Sequence, residues 1–268
     1  PTGRIVGGEI RLDGEDLLAK SEREMSSIRG RSMAMILQDP MSSLNPLLTI
    51  GQQVSDPLRT HRKLPALDLR QEVRRLLEMV RIPAPESRVN DYPHQMSGGM
   101  RQRIVGAIAL SCQPKLLIAD EPTTALDVTV QAQYLQLLRD LQARLGLAII
   151  MITHDFGVVA RICDRVAVMY AGRVVETAST TELFERPAHP YTRALMRSMP
   201  RLDQRTARLP AIEGQPPDLR KPMSGCRFAL RSAHATAICH EQYPETTEVA
   251  SGHVVSCWHL DRAKADAS

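Results

Sequence analysis

Two acids in succession, Asp120 and Glu121, close the run Lys115-Leu116-Leu117-Ile118-Ala119. A short apolar run without alternation reads as a parallel strand buried on both faces. Acids at its carboxyl end stand where open α/β sheets bind their ligands. A first carboxylate there suits Mg2+, held directly or through water. A second, one residue on, can orient or deprotonate an attacking water. Alone the pair says little, because most apolar strands ending in Asp-Glu are plain strand ends. A second run of the same form, Leu147 to Thr153, is followed by His154 and Asp155, and a third, Met33 to Leu37, by Gln38. Strand ends in one parallel sheet lie side by side, so His154 and Glu121 are expected to meet at one phosphate, with Gln38 placed like them. A lone histidine at a strand end is more often structural than chemical, and the same holds for a glutamine.

Ser97-Gly98-Gly99-Met100-Arg101-Gln102 offers a different chemistry. A Ser and two glycines directly ahead of a helix present unpaired backbone N–H groups at the positive end of the helix dipole. Glycines let a phosphate come close to that backbone. A Ser N-cap followed by flexible glycines explains the same residues equally well.

These residues need a frame. Residues 5–12 and 33–37 read as short strands, and residues 46–112 are mostly helical. Within that stretch Leu69, Val73, Leu76, Leu77 and Val80 recur at helical spacing, and Pro83 and Pro85 break the helix. The helix after Ser97 carries Ile104, Val105, Ile108 and Leu110 on its buried side and stops before Pro114. A long amphipathic helix from Val128 to Leu145 joins the apolar runs that end at Asp120 and Thr153. Strand, helix, strand in this order makes a right-handed crossover in an α/β sheet. Residues 165–178 read as a hairpin turning near Ala171-Gly172. After Pro187 the composition shifts to Pro, Arg and Cys with little periodicity. A boundary is therefore placed there, with one domain over 1–186 and a small irregular extension over 187–268.

The bulk composition narrows the function. Hydrophobic residues make up 43% and charged residues 24% of the 268 residues, ordinary values for a globular protein. Aromatics at 3% leave few platforms for stacking nucleobases, which argues against single-stranded nucleic acid as a partner. The net charge of +4 reflects an Arg-rich composition more than a dedicated anion-binding face. The longest apolar run, Leu145 to Ile152, is far short of the roughly 18 residues that span a bilayer. Cys112 and Cys163 sit in apolar helical stretches and read as small core residues.

Taken in order, Gln38 after a strand, SGGMRQR, LLIADEP, Ala125-Leu126-Asp127 and ITHD resemble the ABC ATPases. They match that family's Q-loop, signature, Walker B, D-loop and switch histidine. The resemblance implies an α/β, P-loop NTPase-like parallel sheet with a helical subdomain over about 46–112. It implies ATP and Mg2+ as cofactors, Asp120 and Gln38 on the metal, Glu121 as general base, and His154 and Gln38 facing the γ-phosphate and its water. Ser97, Gly98, Gly99 and Gln102 would serve the γ-phosphate held by a partner subunit, and Asp127 would cross the interface between the two. ILQDPMSSLNPLLTIGQQV, DYPHQMSGGMRQRI, DEPTTALDVTVQAQ and CDRVAVMYAGRVVE resemble the oligopeptide, dipeptide and nickel importer branch, as does the segment from His189 to Leu195. That branch implies a second ABC ATPase subunit, identical or not, two transmembrane permease subunits touched by the helical stretch, and indirectly a periplasmic or lipoprotein solute-binding protein. It places the chain on the cytoplasmic side of the plasma (inner) membrane. The solute stays open between dipeptides, longer peptides and nickel. A soluble ABC ATPase of DNA repair or translation and a non-catalytic binding module are the competing readings, and the importer-like tail favours transport.

Two features of that family are missing or altered. The phosphate loop G-x-x-x-x-G-K-[ST] is absent, and the sequence has no Gly-Lys pair. The chain opens on Pro1, so the expectation is a fragment of an intact ATPase, inactive by itself, with a naturally shortened subunit as the alternative. Cys226, Ser232, Cys239 and Cys257 fall where many members of the branch carry four cysteines that can hold an iron–sulfur cluster. With Ser232 at one place, three thiolates remain near His234, His240, His253 and His259. Zinc on mixed ligands and free thiols in a docked tail are the other readings.

Overall fold

The structure, a computed structural model, describes residues 3–199 and 211–260. It divides into two compact units, Pro1–Ile162 and Cys163–Ser268.

The first unit opens with a two-residue hairpin, β1 (Arg11–Leu12) and β2 (Glu15–Asp16). Residues 5–10, expected as strand, pair with no strand there, since no alternating face of theirs is buried. After α1 (Glu22–Ile28) come β3 (Met33–Ile36) and the short α2 (Pro40–Ser43). A helical layer follows, of α3 (Ile50–His61), α4 (Ala66–Met79), α5 (Pro85–Arg88) and α6 (Gly98–Leu110). Thr49 starts α3 with a capping box, its hydroxyl on the Gln52 amide and the Gln52 side chain on its own. Leu69, Val73, Leu76, Leu77 and Val80 are all buried, with Val54, Leu58, Ile104 and Leu110 completing the helical core. Next come β4 (Leu116–Asp120), α7 (Val128–Leu145), β5 (Ala148–Ile152) and α8 (Phe156–Ile162).

β3, β4 and β5 form one parallel sheet in that order, with Ile36 opposite Ala119 and Asp120 opposite Ile152. Its strands were expected to be buried on both faces. One face is: Ala34, Ile36, Leu117 and Ala119 are sealed. The other is open, with Met35, Ile150 and Ile152 each about half exposed. An apolar run records only that both sides of a strand are hydrophobic, not that both are covered.

The second unit holds the expected hairpin, β6 (Arg165–Tyr170) and β7 (Arg173–Ser179), turning at Ala171 and Gly172, both at positive φ. It continues through α9 (Thr180–Glu185), α10 (Pro190–Arg197), α11 (Ala237–Glu241), β8 (Thr247–Ala250) and β9 (His253–Val255). The tail is less irregular than its composition implies. β9 pairs with β7 and β8 with β9, making an antiparallel sheet ordered β6-β7-β9-β8. This pairing ties the hairpin to the tail, and the division between units accordingly falls before β6. A chain poor in aromatics gathers Tyr170, Tyr191 and Phe228 here, with ring centroids 4.6 to 5.4 Å apart. Beside them Glu176, fully buried, accepts from the amides of Ala188 and His189 and from His253 Nε2 at 2.6, 3.0 and 2.8 Å. A buried carboxylate needs such partners, and these bind β7 to β9 and to the start of α10.

Candidate active site

The parallel sheet sets Gln38, Glu121 and His154 just past the carboxyl ends of three adjacent strands, and their side chains meet. Glu121 Oε1 lies 2.9 Å from His154 Nδ1. Its Oε2 accepts from Gln38 Nε2 at 2.8 Å and from the Thr124 hydroxyl at 3.0 Å. The backbone prepares this. Glu121 N–H still bonds to Ile152 O at 2.8 Å, extending the β4–β5 ladder by one residue. The chain then turns sharply, with Glu121 at φ 43°, a left-handed conformation that is strained for a residue with a Cβ. The His154 contact first, then the Thr124 hydroxyl, holds the Glu121 carboxyl below the usual carboxylate range. Gln38 spends its amide nitrogen on Glu121, so its amide oxygen is the donor left for a cation. That oxygen and the half-buried Asp120 carboxylate at the end of β4 are both hard donors of the kind Mg2+ takes.

Ser97 caps α6, its hydroxyl accepting from Met100 N at 3.3 Å. The amides of Gly98 and Gly99 belong to the first turn, which has no partners within the helix. The two glycines differ. A Cβ on Gly98 would meet nothing within 4 Å, so that position is open to an incoming group. A Cβ on Gly99 would lie 2.6 Å from Val130 Cγ1, so Gly99 is demanded by the packing of α6 on α7. Asp127 caps α7, accepting from Thr129 N and Val130 N at 3.1 and 3.0 Å.

This geometry has counterparts in known proteins. The ABC transporter family profile matches residues 3–124, and one described as the oligopeptide/dipeptide transporter C-terminal region matches residues 175–239. The chain is 53% identical over 258 residues to a probable peptide ABC transporter ATP-binding protein, y4tR, of Sinorhizobium fredii, covering 96% of this chain and 77% of that one. It is 51% identical over 269 residues to the oligopeptide transport ATP-binding protein OppD of Bacillus subtilis, covering 99% and 75%. This chain belongs to the ABC transporter ATP-binding proteins. Solved ABC cassettes share its fold. A dimeric post-hydrolysis state of the cassette MJ0796, bound to ADP and Pi, aligns with a TM-score of 0.59 at 28% identity over 65% of this chain and 74% of that one. CbiO1 from Clostridium perfringens aligns with a TM-score of 0.59 at 31% identity over 68% and 69%.

One expectation for this ABC ATPase needs correction. Gln102, grouped with the phosphate-binding residues, is 1% exposed and faces Tyr134 inside the helical packing. The helical period turns it away from the head of α6, where Gly98 lies open. The tail cysteines, for which a cluster, zinc and free thiols were all open readings, come near each other. Cys226, Cys239 and Cys257 line one small cavity with Ser232, His234 and His259. Yet no group of three or more His, Cys, Asp or Glu among the described residues is arranged to hold a metal. Burial pushes the thiols of Cys226 and Cys257 up, favouring the neutral form.

Thr124 and Gln131 were not picked out from the sequence. Thr124 carries a weak signal, a hydroxyl three residues past the acid it touches. Gln131 carries none, because its partners lie on two other segments.

Proposed function

We propose that this chain is the ATP-hydrolysing subunit of an importer for dipeptides or oligopeptides, with Glu121 as its general base. The observation that carries the catalytic part is the meeting of Gln38, Glu121 and His154 at three neighbouring strand ends. The match of residues 175–239 to the oligopeptide/dipeptide transporter C-terminal region supports peptides as the solute. Hydrolysis needs a water to attack the γ-phosphorus as the bond to the β-phosphate oxygen breaks. Glu121, ionised and oriented by Thr124, takes the proton of that water. His154, within hydrogen-bond reach of Glu121, turns its free ring nitrogen toward the γ-phosphate, and the Gln38 oxygen faces the cation and the attacking water. Mg2+, when bound, would neutralise phosphate charge, and Asp120 and the Gln38 oxygen would hold it. The phosphate-loop lysine is not among these residues, since the 268 contain no Gly-Lys pair. Ser97, Gly98 and Gly99 offer open amides to the γ-phosphate of a second ATPase subunit, and Asp127 lies across that interface. Among the described residues no helix is long and apolar enough to cross a membrane. The chain works instead at the cytoplasmic face of the membrane, against two permease subunits fed by a solute-binding protein.

The test is Glu121→Gln in the intact gene product. ATP binding is expected to persist while turnover falls on the order of a hundredfold or more, the usual contribution of a general base. Uptake of labelled di- and oligopeptides should stop with it. Hydrolysis at the parent rate would remove Glu121 from the mechanism, and peptide uptake that survives deletion of the gene would remove the assignment to peptide import.

A further inference from the structure

Gln131 stands in the first turn of α7, and neither the hydrolysis chemistry nor the packing of α6 accounts for it. Its Nε2 donates to Thr123 Oγ1 at 3.1 Å and to Asp155 Oδ2 at 3.2 Å. The two acceptors belong to the segments that carry the reacting groups. Thr123, 5% exposed, sits in the turn that follows Glu121, where Thr124 N–H bonds to Glu121 O at 3.3 Å and Leu126 N–H to Thr123 O at 3.1 Å. Asp155 follows His154. Its other oxygen, Oδ1, accepts from Gly157 N and Val158 N at the start of α8, at 2.7 and 3.3 Å. Its own amide bonds back to Thr153 Oγ1 at 3.0 Å. His154 is thus pinned on both sides, and one of the pins leads through Asp155 to Gln131. Gln131 is itself fixed, its amide donating to Asp127 O at 2.8 Å within the capped turn.

We infer that Gln131 is a positioning residue that sets the separation of His154 from Glu121 by bracing the His154 loop against the turn after Glu121. The inference rests on the assignment of Glu121 and His154 to catalysis. A neutral amide is well suited to this brace, because one nitrogen donates both to a hydroxyl and to a carboxylate. Methionine has the same reach and no donor. Glutamate has the same shape but sets a second carboxylate against Asp155. Lysine keeps the reach and the donors, and its charge complements Asp155.

The experiment is steady-state ATP hydrolysis by the intact gene product, with thermal melts to show that each variant is folded. Gln131→Met and Gln131→Glu are expected to lower kcat on the order of tenfold to a hundredfold, the scale of a small misplacement of reacting groups. The KM for ATP should stay near the parent value. Gln131→Lys should recover most of the loss. Adding Thr123→Val to Gln131→Met should cost little more, because the brace is already broken. Met and Glu variants at the parent kcat overturn the inference. So does a folded Lys variant as slow as Met, which would mean that the donor is not what matters. His154→Ala and Glu121→Gln serve as the control for the underlying assignment. If both hydrolyse ATP at the parent rate, that assignment falls and takes this inference with it. If both are inactive while the Gln131 variants are not, this inference alone falls.

Discussion

Glu121 receives donors on both oxygens, from His154 on one and from Gln38 and Thr124 on the other. These contacts favour its ionised form and depress its pKa, with the His154 contact the largest cause. Because the folded value lies below the unfolded one, the stabilisation is complete above the ordinary carboxylate range and is lost as pH falls through the lowered value. Thr124→Val removes the second-largest cause. The acid limb of the pH–rate profile should then move upward, while Thr124→Ser leaves it in place. A limb that does not move in the Val variant means that the hydroxyl has no hold on Glu121. The paired glycines separate in the same way. Gly99→Ala puts a methyl group 2.6 Å from Val130 Cγ1 and is expected to cost about 1–3 kcal/mol. Adding Val130→Ala should return most of that, read from denaturant midpoints. Gly98→Ala meets open space and should leave stability unchanged, so any loss of hydrolysis it causes reports on phosphate approach.

At the scale of elements, α7 decides how the loops around the site are held. Its start is set by Asp127, its end by Gly146 at φ 63°, and its buried face by Tyr134, Leu135, Leu137, Leu138 and Leu141. Asp127→Ala is expected to cost about 1 kcal/mol of stability through the lost cap. Asp127→Ser, which can still cap, should keep that stability. If the Ser variant is also fully active, the carboxylate of Asp127 has no role beyond the helix. If it is stable but slow, the carboxylate acts elsewhere, as expected of a residue that reaches toward a second subunit. The extent of this helix was readable in the sequence, from Val128 to Leu145, because cap, period and C-terminal glycine are all local signals. The bracing of its first turn was not, because Thr123 and Asp155 lie on segments that only the folded sheet brings together.

At the scale of the whole molecule, the second unit contains a pH-sensitive joint. His189 is 1% exposed, accepts from Tyr191 N at 3.0 Å and packs 6.0 Å from the Phe228 ring. Burial holds its imidazole down to about 4, with the nearby Glu176 charge opposing. The unfolded chain therefore binds the proton that the folded chain refuses, between the ordinary histidine value near 6.5 and about 4. The associated stability is complete above that window and is lost as pH falls through it. The loss amounts to about 3 kcal/mol, since each tenfold change in proton affinity is worth about 1.4 kcal/mol. His189→Asn keeps a side-chain acceptor for the Tyr191 amide without the titration. It should flatten the pH dependence of the melting of this unit over that window. An unchanged dependence would assign the effect to another group.

The sequence alone set the order of the candidate site residues: Gln38, the Ser97 turn, Asp120 with Glu121, Asp127 and His154. It determined the strands and helices that carry them, because a parallel strand ending in a polar residue and a capped amphipathic helix are written in neighbouring residues. It also placed the hairpin from β6 to β7, whose turn carries Gly172 at positive φ. Tertiary structure decided the rest. It chose which face of the β3–β4–β5 sheet is sealed, turned Gln102 inward while leaving Gly98 open, and set Gly99 against Val130. It drew β9 alongside β7, pairing Glu176 with Val255, and so gave order to a tail whose composition promised little. Each of these depends on a neighbour far along the chain. A residue type states what it can bury or bond, and only the fold states what stands opposite it.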